Sequence, residues 1–170
     1  MFLNITNIFK KIQLGINFIK ASNLKKAGKY LEAIKLYEKM CEKDTAEKYY
    51  ADIYNNLGWL NYNLAANLTN NKAIDNKEME AYIEKAYIAL DRAIEIDPRN
   101  CKAYYNRGKF NKNNKTYDLA IQDFTMAIKL GAAYCYNDRA FCFEKQSLFQ
   151  EAFEDKLRDL EYKGGSNDCK

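Results

Sequence analysis

The groups from which an active site could be assembled in this chain are thiols and carboxylates, because it contains no histidine. That absence removes Ser-His and Cys-His dyads, the commonest proton shuttle near neutral pH and the commonest metal ligand. Asp52, Asp138 and Glu144 supply carboxylates, but nothing marks a pair with displaced acidity, and solvated charges account for them. The five cysteines, Cys41, Cys101, Cys135, Cys142 and Cys169, are odd in number and contain no C-x-x-C spacing, which argues against a zinc or redox motif. Cys135 and Cys142 fall on one side of a helix two turns apart, roughly 10 Å by the rise per residue and too far for a disulfide. The expectation is therefore reduced thiols, no metal, no cofactor and no enzyme.

Binding chemistry remains, and composition narrows it. The net charge of +4 is modest and mixed in sign along most of the chain, whereas a nucleic-acid surface needs clustered Lys and Arg. No stretch reaches the roughly 20 apolar residues of a membrane span. Asn4, Thr6, Asn7, Lys10 and Lys11 interrupt the first twenty residues, where a signal peptide needs a compact apolar block. A cytoplasmic protein is the expectation.

The elements that would position a binding surface are helices. One proline and seven glycines in 170 residues are too few for the turns of a sheet protein. From Asn100 to Leu130 the residues step as two amphipathic helices, with Tyr104, Arg107, Gly108 and Asn111 in the first and Ala120, Phe124, Ala127 and Ile128 in the second. Pro98 starts the pair and Asn100 caps it. Gly108 and Ala120 allow two helices to approach closely while Phe124 fills the space between them.

The stretch Ala103-Tyr104-Tyr105-Asn106-Arg107-Gly108, preceded by Ile96-Asp97-Pro98 and followed by Ala120 to Ala127, resembles a tetratricopeptide repeat almost position for position. Its departures are Asn111, where the family usually places an aromatic, and Ala132, where a proline is usual. The resemblance implies an all-α fold, a right-handed superhelical array of about four helical hairpins in a single domain over residues 1–163.

In this register the units are 14–47, 51–98, 101–132 and 133–163. The first carries Ala21, Leu24, Gly28, Tyr30, Ala33, Tyr37 and Met40; the second opens with Tyr54, Leu57 and Gly58 and closes with Ala86, Leu90 and Ala93. Gly58 stands sixteen residues farther from Ala86 than Gly108 stands from Ala120, which places an insertion at 65–80. A lengthened first helix, a polar connection through Thr69, Asn70, Asn71 and Asp75, and a second helix starting near Asn76 accommodate it. In the last unit Ala140 and Ala152 keep the pattern, while Lys156 and Asp159 replace the large and small residues and imply a polar outer cap. Residues 164–170 read as a flexible tail.

In the family resembled, the first helix of each pair lines a concave groove, and residues around the signature glycine point into it. The resemblance assigns Asn55, Asn56, Trp59 and Tyr62 in one unit and Lys102, Tyr105, Asn106 and Lys109 in the next to a peptide-binding groove, with Phe141 in the last. A carboxamide offers both donor and acceptor and can satisfy an extended peptide backbone whatever its side chains. Some relatives grip a chaperone tail's terminal carboxylate with five residues. Of the residues in those places, Phe18, Ser22, Asn56, Lys102 and Asn106, only Asn56 and Lys102 match, which argues against that role. The implied function is a non-catalytic adaptor or co-chaperone holding a peptide or helix of a partner protein.

Phe2, Ile5, Phe9, Ile12, Ile16 and Ile19 step by three and four along a first helix. The basic side is thin for lipid binding, so the expectation is a helix that caps the stack. The alternative function is a structural subunit of a larger complex or homo-oligomer, docking through this helix or the inserted hairpin.

Overall fold

Small residues stand where helices approach and large ones fill the gaps beside them, and the computed structural model, which describes residues 2–42, 47–69 and 76–164, follows that alternation. Side chains at 2–6, 69 and 76 lie outside the description, as do residues 70–75 of the expected connection, 165–170 of the expected tail, and Cys169. Eight helices occur among the described residues: α1 (Phe2–Lys26), α2 (Tyr30–Cys41), α3 (Tyr49–Thr69), α4 (Asn76–Ile96), α5 (Cys101–Asn113), α6 (Tyr117–Lys129), α7 (Tyr136–Lys145) and α8 (Phe149–Gly164), with a 3₁₀ turn at Ala133–Cys135. There is no strand among them. The chain divides into two compact units, Met1–Ala89 and Leu90–Lys170.

In the first unit α1 packs on α2 and α2 on α3. Ala21 and Ala33 are fully buried, as is Tyr37, whose ring meets the edge of Phe18 at 5.7 Å. Ile53, Leu57 and Leu60 of α3 are buried as well. The helices α3 and α4 are 21 residues each, against 13 for α5 and for α6, so the extra residues lengthen both.

The second unit is built from the end of α4 and α5 to α8, with α5 on α6, α6 on α7 and α7 on α8. Its core gathers Ala120, Phe124, Ala127, Ala132, Cys135 and Cys142, with Tyr105, Tyr117 and Tyr134 packed around it. At Gly108 the approach is so close that a β-carbon would lie 2.7 Å from Cε1 of Phe124. Asn100 caps α5, its side chain accepting from the Ala103 N–H at 3.0 Å.

Four helices end alike. At the ends of α1, α5, α6 and α7 the residues Gly28, Lys115, Gly131 and Ser147 take positive φ. The following N–H reaches five residues back, as in Lys29 to Leu24 at 3.0 Å, Thr116 to Asn111 at 3.0 Å, Ala132 to Ala127 at 2.9 Å and Leu148 to Phe143 at 2.9 Å. This double-bonded stop satisfies carbonyls that a helix end otherwise leaves orphaned.

A ladder of ions ties the second unit together. Arg107 donates to both oxygens of the buried Asp123, the closest contact 2.7 Å, and to Asp91 of α4 at 2.5 Å. Asn111 donates to Asp123 at 2.9 Å, which explains why a carboxamide replaces the usual aromatic there. One repeat later Arg139 holds Asp155 at 2.7 Å through two nitrogens and reaches Thr125 at 2.8 Å.

Three expectations are corrected. The α1 stripe does not cap the stack: Phe9, Ile12, Ile16 and Ile19 are exposed, because the face carrying Phe18 and Ala21 packs on α2 instead. The outer face of α8 is not polar, since Phe149, Phe153, Leu157 and Leu160 are exposed while Asp155 and Asp159 lie buried. Cys41, Cys135 and Cys142 are free thiols, but Cys101 is disulfide-bonded.

Gly108→Ala should lower stability by about 1–3 kcal/mol in urea unfolding, because the added methyl overpacks the site by more than the gain in helix propensity. Shortening the ring by Phe124→Leu in the same chain should remove most of that penalty, read as non-additivity. Arg107→Met should cost about 3 kcal/mol by leaving Asp123 charged and buried, and Arg107→Met with Asp123→Leu should recover more than half of it.

Candidate functional site

Helix geometry separates neighbouring residues by about 100°, so of two adjacent asparagines one faces inward. On α3 this divides Asn55 from Asn56: Asn55 is buried, whereas Asn56 is half-buried. The Asn56 carboxamide oxygen accepts from Lys25 Nζ at 2.6 Å. The same ammonium lies 4.7 Å from the Trp59 ring centroid, and Tyr30 meets that ring edge-on at 5.7 Å. Asn56 and Trp59 are thus brought together, with a cation from α1 held between a carboxamide and an indole. Trp59 is fixed further through its carbonyl, which accepts from Asn63 at 2.7 Å. Tyr62, one turn on, is half-buried.

In the second unit the candidates gather on α5 and α7. Tyr105 packs edge-on against Tyr134 at 4.9 Å, with Lys109 Nζ 5.6 Å over its ring. Burial first, and then the hydrogen-bonded Asp138 carboxylate, push the Tyr105 hydroxyl up to about 12. Asp138 also pairs with Lys112, whose ammonium lies 5.4 Å over Phe141. Lys145 covers the same ring at 5.1 Å, and Tyr117 meets it edge-on. Phe141 is itself exposed. Tyr105, Lys109 and Phe141 therefore belong to one aromatic and cationic face. Asn106 is half-buried on the same helix and Lys102 is exposed on its first turn.

Sequence reasoning omitted Lys25, Lys112, Tyr134 and Lys145 from this set. Asp138 had a visible signal, standing in the last unit at the place Asn106 holds one repeat earlier. The lysines had none, because a long side chain reaches its ring from another turn or another helix.

Burial pushes the Cys135 and Cys142 thiols up to about 12 and about 11, the opposite of an activated nucleophile. No cluster of three metal-ligating side chains occurs among the described residues. No helix among them is long and apolar enough to cross a membrane.

Comparison with known proteins places the repeat. Residues 89–122 match a family model described as tetratricopeptide repeat. The chain is 37% identical over 82 residues to DnaJ homolog subfamily C member 7 of Homo sapiens, covering 45% of this chain and 17% of that protein. It is 32% identical over 96 residues to small glutamine-rich tetratricopeptide repeat-containing protein 2 of Saccharomyces cerevisiae, covering 55% and 27%. The match thus spans less than a third of either relative. Among solved structures, MamA aligns with a TM-score of 0.71 at 21% identity, over 94% of this chain and 84% of that one. A thermophilic TPR protein of Thermus thermophilus, TTC0263, aligns with a TM-score of 0.56 at 17% identity, over 90% and 93%. At such identities the likeness shows the fold alone.

Tyr37, Tyr105 and Tyr134 each keep their protons to about 12 in the folded chain, chiefly through burial. The unfolded chain releases them near 10, so between these values it binds fewer protons and stability falls as pH rises. The urea midpoint should hold below about pH 8.5, begin to fall as the Cys135 and Cys142 thiols of the unfolded chain ionise, and drop more steeply from about pH 10 toward pH 12, where Tyr105→Phe should make the drop shallower.

Proposed function

The chain is a tetratricopeptide-repeat protein, and on that premise we propose that it acts as a non-catalytic, cytoplasmic adaptor of co-chaperone-like kind, holding a peptide or helix of a partner protein. Proteins of this family mediate protein–protein interaction. The units proposed are those read from the sequence, four hairpins in one domain with an insertion at 65–80.

The observation that carries the reading is the fixed set around Trp59: an indole held edge-on by Tyr30, with Lys25 above it and the Asn56 carboxamide on the same cation. A rigid aromatic beside a donor–acceptor group costs little entropy to bind with, which is the property of a recognition surface. Phe141 supports it independently, because an exposed ring between Lys112 and Lys145 suits an acidic or aromatic segment. Each such ring contributes roughly 1.5–3 kcal/mol when covered, so two or three supply a useful part of the about 8 kcal/mol that micromolar binding requires. Similarity to part of a DnaJ homologue supports the co-chaperone-like reading.

Alanine at both Trp59 and Asn106 should weaken binding of a captured partner segment by about 30-fold or more, with the circular dichroism of the helices unchanged. Affinity capture from the native cell supplies the segment and calorimetry reads the loss. An unchanged affinity removes these residues from the site.

A further inference from the structure

The first and last helices expose apolar faces that their own hairpins leave unused. On α1, Ile8, Phe9, Ile12, Ile16 and Ile19 are 52–67% exposed, and on α8 Phe149, Phe153, Leu157 and Leu160 are 45–67% exposed. Steps of three and four put each set on one side of its helix, and both sets extend over the same helical length, roughly 16 Å. The α1 stripe opens into a shallow groove of about 510 Å³ bordered by Ile16, Ile19, Lys20 and Leu24. The charges are opposed. The helix α1 carries Lys10, Lys11, Lys20, Lys25 and Lys26 and no acidic residue, Lys11 pairing with Glu47 and Lys25 with Asn56 within the chain. The apolar side of α8 is bordered by exposed Glu154 and Glu161, while its basic neighbours Lys156 and Lys163 are engaged by Glu144 and Asp159.

From these observations we propose that α8 of one copy docks on α1 of a second copy. A ring of Phe149 or Phe153 enters the groove beside Ile16 and Ile19, and Lys20 faces Glu154. An α1-on-α1 contact would set lysine against lysine, which complementarity disfavours. Each contact is heterologous, so two copies joined by one contact keep one α1 and one α8 at which further copies add. It rests on different residues from the partner-binding reading and stands or falls separately. One helix on one helix is smaller than the standard interface of about 1,600 Å², and the dissociation constant should lie on the order of 10 μM.

Sedimentation velocity of the full chain between about 5 and 300 μM tests it, on the scale that this affinity sets. The mass should rise with concentration beyond a dimer. Ile12→Glu with Ile16→Glu blocks one face and Phe149→Glu with Phe153→Glu the other; all four positions are exposed, so circular dichroism should be unchanged. Each double variant alone should self-associate at least about 10-fold more weakly. Mixed together they should form a dimer and stop there, since each retains the face the other lacks. A chain monomeric throughout, a variant that associates like the parent, or a mixture that stays monomeric overturns the proposal. So does binding to vesicles of phosphatidylcholine and phosphatidylserine that only the α1 variant loses, which would make that stripe a membrane face.

Discussion

Two helices can lie only as close as the side chains between them permit, and that limit governs this chain. At Gly108 the Phe124 ring occupies the space a β-carbon would need. Buried alanines mark the corresponding approaches elsewhere, Ala21 and Ala33 in the first unit and Ala140 and Ala152 in the last hairpin. Close approach at these points orients what lies around them. Arg107, next to Gly108, meets Asp123 on α6; Arg139, next to Ala140, meets Asp155 on α8. The helix ends with positive φ at Gly28, Lys115 and Ser147 then turn the chain back within a few residues.

Backbones held this way present the half-buried Trp59 ring and the exposed Phe141 ring in fixed positions. Trp59 and Phe141 do not hang free: each is braced by a tyrosine edge and covered by an ammonium. The ordering of these side chains is achieved on folding, so little of it remains for a partner to impose. The buried ions serve a different end. Burial pushes the Asp123 carboxyl up, against the pull of Arg107 and Asn111, and the same ions join side chains of α4, α5 and α6.

Most of the fold was legible because its determinants are local. Gly108, Ala120 and Phe124 announced a hairpin, Asn100 its cap, and the distance from Gly58 to Ala86 the long helices that end at Thr69 and resume at Asn76. What periodicity did not reveal is which of two apolar faces a helix buries. On α1 the side with Phe18 and Ala21 competes with the longer stripe of isoleucines, and the side that packs on α2 is the one carrying the buried Ala21. On α8 the polar residues Asp155 and Asp159 are the buried ones, Asp155 held by Arg139 one helix away and Asp159 by Lys163 of its own helix. In the candidate site the ring contacts of the aromatic residues follow their helical spacing more closely than the polar contacts do. The adjacent Asn55 and Asn56 differ only in helical phase, and Lys25 and Lys112 reach their rings from positions no spacing rule singles out.

The central claim is that the braced aromatic positions on the first helices of the hairpins, rather than the outer faces of α1 and α8, receive a partner. Chemical-shift mapping of ¹⁵N-labelled chain with a captured partner segment reads this directly. The account predicts the largest shifts at the Trp59 indole N–H and at the amides of Asn56, Tyr105 and Asn106, with α8 unaffected. Shifts confined to Ile12, Ile16, Phe149 and Phe153, with the indole signal unmoved, would contradict it.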